Sequence, residues 1–361
     1  MSDPHGRFQF EPQFRPPWYL RSGHLQTLIT GFYRPIANLP PRTTLRCPLP
    51  ENQGNMLMHE NLPEGSDDYH SKPSVLLLHG LGSSHAGTYM TNMALGFVRR
   101  GFRVFRVDLP GAGDSYLETP LPPHGACSSI IRNAMQHVSD LYGIKQWYMA
   151  GVSLGGNILL RMLSDPNHKN TCSFEVLRAI ALAPPIDLDS SCRNIERGIH
   201  RLYANYFLRA IRKQIRERAK HWPQWKERLE AADFSSLRRL DDTVTAPLAG
   251  FQDALDYYHS GSSKPFLKNL TTRTKILIDR HDPIVPYFIF RDAEFSPSTE
   301  VIVTNRGGHV GYLRRRPMAQ RSKSLQRSGI DRKFHRWGDS WIVDTMIDDE
   351  CWYPIPNKTI S

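Results

Sequence analysis

The amino-acid sequence predicts an α/β protein with a mostly parallel, twisted sheet, helices on both faces and an inserted helical cap. Short apolar runs such as Ser74–Leu78 and Lys275–Asp279 alternate with longer segments of helical periodicity, which is typical of buried parallel strands joined by helices. A serine between two glycines, Ser153, stands where one such run passes into a helical pattern. The strand pattern stops between about 185 and 266 and then resumes, which indicates an insertion into the sheet domain.

The segment around Ser153 has the Gly-x-Ser-x-Gly pattern of a nucleophile elbow, with Gly151 and Gly155 on either side. The apolar run Gln146–Met149 precedes it, and a helical pattern that includes Asn157 follows it. Such a turn strains the serine backbone, and side chains in place of the glycines would collide. It also sets the hydroxyl at a helix N-terminus, where peptide dipoles favour developing negative charge. We therefore predict that Ser153 is a nucleophile; the alternative is an ordinary glycine–serine turn.

A nucleophilic serine needs a base and an orienting acid, which α/β-hydrolases supply in the chain order serine, acid, histidine. The predicted strand Lys275–Asp279 is followed by Asp282. The predicted strand Glu300–Thr304 is followed by His309. Both side chains thus lie past the carboxyl ends of strands, where open α/β sheets place their active sites. We expect His309 to exchange the proton with the serine and Asp282 to orient the imidazole. Asp279, expected on the strand itself, is the rival acid, and an ordinary loop histidine is the alternative for His309.

Two backbone amides complete the predicted site. The run Ser74–Leu78 leads into the loop that begins His79-Gly80-Leu81. In this architecture one oxyanion donor comes from that loop and the other from the residue after the nucleophile. We assign these donors to the N–H groups of Leu81 and Leu154. His79 is expected to brace the loop, and a role as a second base is the alternative.

No cofactor or metal site is predicted. The glycine-rich turn Asp108–Ser115 follows the predicted strand Phe102–Val107, but its glycines match neither a dinucleotide nor a P-loop fingerprint. The five cysteines show no paired spacing, which argues against a metal site or a disulfide framework and fits a reducing, cytoplasmic setting. They are Cys47, Cys127, Cys172, Cys192 and Cys351.

Six segments of the sequence resemble a known family: Ser22–Thr27, His79–Leu81, Gly151–Asn157, Asp253–Tyr258, Asp282–Pro283 and Gly307–Gly311. Together they are similar to the YheT-like esterases of the α/β-hydrolase superfamily, over roughly residues 15 to 312. The His-Leu-Gln-Thr and Gly-Gly-His-Val-Gly segments are specific to that family, whereas the elbow is shared by the whole superfamily. The resemblance implies an α/β-hydrolase fold, an ester-cleaving activity and a triad of Ser153, Asp282 and His309.

Composition and charge fit a soluble enzyme. The 361-residue chain has no apolar run of eighteen residues and begins with polar and aromatic residues, so we expect neither a transmembrane helix nor a signal peptide. Much of the formal net charge of +11 lies in a late stretch with few aromatics, which we expect to be a solvated segment, not a nucleic-acid site. Its basic residues are Arg314, Arg315, Arg316, Arg321, Lys323, Arg327, Arg332, Lys333 and Arg336. A closing helix, Trp337–Met346, is expected to turn Trp341 and Ile342 to the core.

The expected organisation has five segments. They are an N-terminal extension packing on the core (1–50), the first part of the hydrolase core (51–184), a helical cap (185–266), the second part of the core (267–312), and the basic segment with the C-terminal helix (313–361). Within the cap, apolar residues recur at helical spacing and predict one stripe on a helix that roofs the active site. These residues are Ile199, Leu202, Tyr203, Tyr206, Phe207, Ala210 and Ile211.

The sequence therefore predicts a serine hydrolase that cleaves short- to medium-chain or lipid-like carboxylic esters through an acyl-serine intermediate. Its expected partner is a small-molecule ester. The basic side of the cap helix is expected to be a solvated face, with a weak contact to a membrane surface as the second interpretation. An acyltransferase that passes the acyl group to an alcohol, and a non-catalytic binding module on the same scaffold, are the alternative functions.

Overall fold

The computed structural model describes residues 8–11, 14–32, 38–40, 42–63, 65, 72–166, 171–316 and 334–352. Its main-sheet strands are β1 (Phe8–Phe10), β2 (Arg42–Pro48), β3 (Asn55–Asn61), β4 (Ser74–Leu78), β5 (Arg103–Asp108), β6 (Gln146–Val152), β7 (Glu175–Leu182), β8 (Arg273–Asp279) and β9 (Thr299–Thr304). They lie in the order β1-β9-β8-β7-β6-β4-β5-β3-β2. Only the pairings of β3 with β5 and with β2 are antiparallel among these strands, so the predicted mostly parallel sheet is confirmed.

Helices cover both faces of this sheet. They are α1 (Gly23–Phe32), α2 (Thr88–Val98), α3 (Ser128–Tyr142), α4 (Leu154–Leu163), α5 (Leu188–Ile195), α6 (Arg201–Arg218), α7 (Pro223–Ala231), α8 (Leu237–Leu240), α9 (Ala246–Leu248), α10 (Ala254–Gly261), α11 (Phe288–Arg291) and α12 (Trp337–Ile347). A π-helical turn, Asp241–Thr245, joins α8 to α9. The expected closing helix is α12, in which Ile342 is fully buried and Trp341 packs partly against the core.

Strand β4 is apolar from Val75 to Leu78 because each of its faces meets helices. In β4, Leu76 and Leu78 belong to the core layer that includes α3 and α4, whereas Val75 and Leu77 belong to the layer that includes α2 and α12. Strand side chains alternate between faces, so one run supplies both layers. This packing fixes the carboxyl edge of the sheet, where β4, β6, β8 and β9 end.

The helices from α5 to α10 lie between β7 and β8 in the chain, and those from α5 to α8 contribute to a core of their own. Tyr203 and Leu208 of α6 are buried there with Trp225. The single stripe predicted for this segment is wrong in part, because Ile199, Leu202 and Tyr206 are exposed. A spacing of three and four residues marks neighbours on a helix, but it does not tell which side another element covers.

The late basic segment also differs from expectation in one respect. Residues 317–333, which contain Arg321, Lys323, Arg327, Arg332 and Lys333, lie outside the described residues. On either side, Leu313–Arg315 (β10) and Phe334–Arg336 (β11) pair antiparallel. Arg336 is not solvated as expected: it is buried, donates from Nε to Asp339 at 2.8 Å and donates from Nη2 to the Val310 carbonyl. No helix in the described part of the chain is long and apolar enough to cross a membrane.

Candidate active site

Ser153 occupies a sharp turn between β6 and α4. Its backbone has φ 52° and ψ −121°, a strained region for a residue with a side chain. A Cβ on Gly155 would lie 2.5 Å from the Leu78 carbonyl oxygen, and one on Gly151 would lie 2.5 Å from the Gly155 carbonyl oxygen. The two glycines are thus required by close backbone contacts, as the sequence predicted. The Ser153 N–H donates to the Leu182 carbonyl at 2.8 Å, which ties the turn to β7.

The three predicted catalytic side chains lie together at the carboxyl edge of the sheet. His309 Nε2 is 2.9 Å from Ser153 Oγ. His309 Nδ1 is 2.8 Å from Asp282 Oδ2. With the Nδ1 proton facing the carboxylate, Nε2 is left to accept the hydroxyl proton. The imidazole therefore bridges a hydroxyl and a carboxylate, although 156 residues separate the first pair in the chain.

The two candidate acids have different surroundings. Asp282 accepts hydrogen bonds at Oδ1 from the N–H groups of Ile284 and Val285, which leaves Oδ2 for His309. Asp279, the last residue of β8, instead accepts from the Thr304 hydroxyl and from backbone N–H groups of neighbouring loops. Burial raises the pKa of Asp279 against the hydrogen bonds that lower it. Asp279 thus joins β8 to β9, and Asp282 contacts the imidazole.

The loop after β4 lies directly against Ser153. A Cβ on Gly80 would come within 3.0 Å of Ser153 Cβ. The Gly80 N–H donates to the Tyr89 hydroxyl at 2.9 Å, and no hydrogen bond of the Leu81 amide is found within the described ranges. The amide of Leu154 opens α4, and the first N–H groups of a helix have no partner within it. Leu81 follows Gly80 and Leu154 follows Ser153 in the chain, so the two N–H groups remain the predicted oxyanion donors.

The hydrogen bonds of His79 go to backbone groups of two loops and not to Ser153. Its Nδ1 lies 2.8 Å from the Gly80 carbonyl oxygen, and the Leu109 N–H donates to its Nε2 at 3.2 Å. Burial lowers the pKa of His79, which favours the neutral ring that these contacts need. The side chain joins the loop after β4 to the loop after β5, in line with the bracing role expected for it.

Helix α1 holds the His309 loop, a contribution that sequence reasoning missed. The His309 N–H donates to the Thr27 hydroxyl at 2.9 Å. The buried Gln26 amide donates to the Leu20 and Leu313 carbonyls, and its Oε1 accepts the Leu313 N–H at 2.7 Å. Both residues belong to the family-specific segment His-Leu-Gln-Thr, which marks them as important. The segment alone does not tell which residues they contact.

A mainly apolar cavity opens onto Ser153 and His309. Both side chains line it, together with the side chain of Leu81. Cap helices and loops supply most of the wall, and among the apolar wall residues are Pro122, Leu188, Ile195, Phe207, Ile211 and Ile284. Apolar walls with a few convergent polar groups are typical of small-molecule sites. The cavity thus presents an apolar wall next to Ser153 and His309.

Two charged residues of the cap also line this cavity and were not predicted. Burial lowers the pKa of Arg218 to about 10, and its Nε has no partner within the described part of the chain. Its terminal nitrogens donate to backbone carbonyls of Gly111, Tyr116, Thr119 and Leu121. Asp241 accepts from the Tyr258 hydroxyl at 2.7 Å, and burial raises its pKa to about 6. In sequence both are ordinary surface-type residues of a helical segment, so no pattern marks them.

One side-chain cluster brings potential metal ligands together. His59, His85, Asp108 and Asp114 offer ligand atoms within 4.8 Å of one another. However, the Arg42 guanidinium contacts His85 Nε2 and donates to Asp114 at 2.9 Å, so a cation already lies on the open side. Asp108 also accepts the His85 N–H at 2.7 Å. We interpret the cluster as an ion network that anchors the loop after β4, and a metal ion would compete there with the arginine.

Comparison with known proteins agrees with this architecture. Residues 75–321 match the model of the alpha/beta hydrolase family. YheT of Escherichia coli (strain K12) is 24% identical over 310 residues, covering 85% of this chain and 88% of that protein. A monoacylglycerol lipase of Saccharomyces cerevisiae is 26% identical over 261 residues, covering 70% of this chain and 57% of that protein.

A solved structure has the same fold. The crystal structure of 2,6-dihydroxy-pseudo-oxynicotine hydrolase superposes with a TM-score of 0.50 at 17% identity, covering 90% of this chain and 72% of that one. The family match spans more than half of the chain, and the similarity to YheT extends over most of both chains. The chain is a YheT-like member of the alpha/beta hydrolase family.

Proposed function

We propose that the protein is a serine hydrolase that cleaves carboxylic esters through an acyl-serine intermediate. The observation that carries the proposal is the imidazole of His309, 2.9 Å from Ser153 Oγ and 2.8 Å from Asp282 Oδ2. Nucleophile, base and orienting acid are the parts that acyl transfer by serine requires. Relatives named as lipase and phospholipase support an ester as the substrate.

In the proposed reaction, Ser153 Oγ attacks the ester carbonyl carbon while His309 Nε2 accepts the hydroxyl proton. The carbonyl oxygen becomes an oxyanion, which the N–H groups of Leu81 and Leu154 stabilise. Collapse of this intermediate expels the alcohol, and the proton on His309 passes to it. Water then attacks the acyl-serine with His309 again as the base, which releases the acid. Asp282 holds the imidazole in the tautomer that both steps need.

The lining of the cavity supports a substrate with an apolar acyl chain. Its wall is mostly apolar, and Phe207 and Ile211 project into it from α6. Each buried methylene contributes about 0.8 kcal/mol to binding, so such a wall favours esters with longer acyl chains over those with short ones. We therefore propose medium-chain or lipid-like acyl esters as substrates and acetate esters as poor ones.

The test is a chain-length series of nitrophenyl esters with the purified protein, with the Ser153→Ala variant as the matched control. We expect turnover that rises with acyl length and falls on the order of 10⁴- to 10⁶-fold in the variant. Near wild-type turnover by Ser153→Ala contradicts the proposal. Circular dichroism of the variant shows whether the fold is retained.

The same acyl-serine can react with an alcohol instead of water, and the protein would then be an acyltransferase. Adding an alcohol to the assay and measuring the ratio of new ester to free acid separates the two. We expect free acid as the main product at low alcohol concentration, because water is in large excess. A dominant ester product under those conditions assigns the protein to the acyltransferases.

A further inference from the structure

Apolar side chains are exposed on the outside of the cap and on the helix beside it. At and before the start of α6, Ile199, Leu202 and Tyr206 are 66%, 63% and 60% exposed. On α1, Leu25 and Leu28 are 43% and 44% exposed. We call these five residues the outer patch. Scattered exposed apolar residues are ordinary, whereas a contiguous set marks an interaction surface.

Contacts between residues next to the outer patch bring its two parts together. His24 Nδ1 lies 3.0 Å from the Tyr203 hydroxyl, and the rings of His24 and His200 are 5.3 Å apart. His24 precedes Leu25, and His200 follows Ile199. The start of α1 therefore lies beside the start of α6, which places the two parts of the outer patch on adjoining elements.

Basic side chains predominate on α6 beside the outer patch. Spacings of four, three and four residues place four exposed side chains on one face of α6: Leu202, Tyr206, Arg209 and Lys213. Glu217 is the only acidic residue of α6, and it pairs with Lys220. Further exposed basic residues lie on α6 or shortly before α6 and α1, namely Arg21, Arg197, Arg201, Arg212 and Arg216. Apolar side chains flanked mainly by basic ones match a surface of acyl chains beneath anionic headgroups.

The other side of α6 faces the candidate active site. Phe207 and Ile211 line the cavity that holds Ser153. A Cβ on Gly82, in the loop that carries the predicted oxyanion donor, would lie 3.8 Å from Phe207 Cδ1. One helix thus separates the cavity from the outer patch, at a thickness of about 10 Å.

We propose that the outer patch docks the protein on a membrane surface that contains anionic lipids, with α6 lying along the interface. Ile199, Leu202 and Tyr206 enter the headgroup–acyl boundary, and Arg209 and Lys213 contact the anionic headgroups. A nucleic acid offers no apolar environment to the patch, so the apolar side chains favour a lipid surface. Combined with the proposed function, on which this last step alone rests, docking delivers lipid-borne esters to the side of α6 nearest the cavity.

The test measures binding of the full-length Ser153→Ala protein to vesicles by flotation. The vesicles contain phosphatidylcholine alone or phosphatidylcholine with phosphatidylserine. We expect binding to the second kind, weakened by salt. The double variant L202S/Y206S should lose about tenfold in affinity because two apolar side chains no longer leave water. The double variant R209E/K213E should lose about tenfold or more at low salt.

Matched controls lie at the opposite edge of the sheet. Leu141, 58% exposed near the end of α3, gives the apolar control L141S. Arg99 and Lys145, exposed before the starts of β5 and β6, give the charge control R99E/K145E. Both controls should bind vesicles like the parent. The proposal is overturned if L202S/Y206S binds vesicles as well as the parent does. It is also overturned if the control variants lose as much binding as the patch variants, because binding would then not depend on the outer patch.

The design keeps this proposal separate from the proposed function. Vesicle binding is measured on a variant that lacks the nucleophile, so it does not depend on catalysis. In the protein with Ser153 intact, L202S/Y206S should lower turnover of a vesicle-borne ester about tenfold and leave a soluble short-chain ester unaffected. Binding without turnover of any ester supports docking and contradicts the esterase function. Turnover without vesicle binding supports the esterase function and overturns docking.

Discussion

At the scale of single residues, the site depends on which carboxylate meets the imidazole. Asp282 and Asp279 are three residues apart, and only Asp282 contacts His309. The oxygen atoms of Asp279 are taken up by Thr304 and by backbone amides. The same residue type therefore has two functions, set by the loop or strand position of each.

This difference predicts opposite effects of two substitutions. Asp282→Asn should lower ester turnover on the order of 10⁴-fold, because the amide favours the wrong imidazole tautomer. Asp279→Asn should lower the free energy of unfolding by about 1–3 kcal/mol, since its amide group faces donors. Urea denaturation and steady-state kinetics on both variants measure the two effects. Exchange of the two outcomes would place the orienting acid at Asp279.

A second residue-scale prediction concerns Asp241, whose burial raises its pKa to about 6 from 3.8. The unfolded chain loses this proton at lower pH than the folded protein. Asp241 therefore lowers the free energy of unfolding as the pH rises from about 4 to 6, and the loss persists at higher pH. Asp241→Asn, whose amide oxygen still accepts from Tyr258, should be more stable than the parent at pH 8 by up to about 3 kcal/mol.

The check is denaturation of parent and Asp241→Asn across pH. The difference between them should shrink below about pH 4, where the parent carboxyl is protonated in both states. A variant that is less stable than the parent at pH 8 shows that the carboxylate is stabilised in the cavity, contrary to the expectation.

At the scale of elements, α6 has one side in the cavity and the other in solvent. Phe207 lies on the cavity side, whereas Tyr203, with which the sequence grouped it, is buried in the cap core. Phe207→Ala should move the optimum of the ester series towards longer acyl chains, by roughly fourfold in preference per added carbon. The chain-length series measures this directly, with Ser153 chemistry retained.

Tyr203→Phe is the matched control for Phe207→Ala. It keeps the buried ring and removes only the hydroxyl that contacts His24, so the chain-length optimum should not move. An equal loss of Phe207→Ala activity on every chain length, with a lowered melting temperature, assigns Phe207 to core packing.

The sheet, the elbow and the loop residues were predictable because each leaves a local mark. Buried parallel strands are continuously apolar, and Gly151 and Gly155 are dictated by backbone contacts at a turn. What the sequence could not supply are contacts between distant segments. Thr27 binding the His309 amide, or Asp241 facing the cavity, depends on how elements pack, and no periodicity encodes that.

At the scale of the whole molecule, helix α1 joins segments from the two ends of the described fold. The buried Gln26 satisfies both backbone groups of Leu313. Gln26→Ala should lower the free energy of unfolding by about 2–4 kcal/mol, because buried groups lose their partners. Ester turnover should fall with it, since the same helix holds the His309 loop.

Leu28→Ala, on the exposed side of α1, is the control and should match the parent in urea denaturation. If Gln26→Ala is as stable as the parent, water replaces the side chain. The contact between α1 and Leu313 then does not stabilise the fold.

The contact between Gln26 and Leu313 also has a consequence during synthesis. The helix that supports the His309 loop is made early, but its partner leaves the ribosome some 287 residues later. Until then α1 has no place to dock and its apolar residues stay open to chaperones. If Ser153 and His309 act as proposed, a nascent chain that has not yet released Leu313 lacks this support for the His309 loop, and we expect no ester turnover before that point.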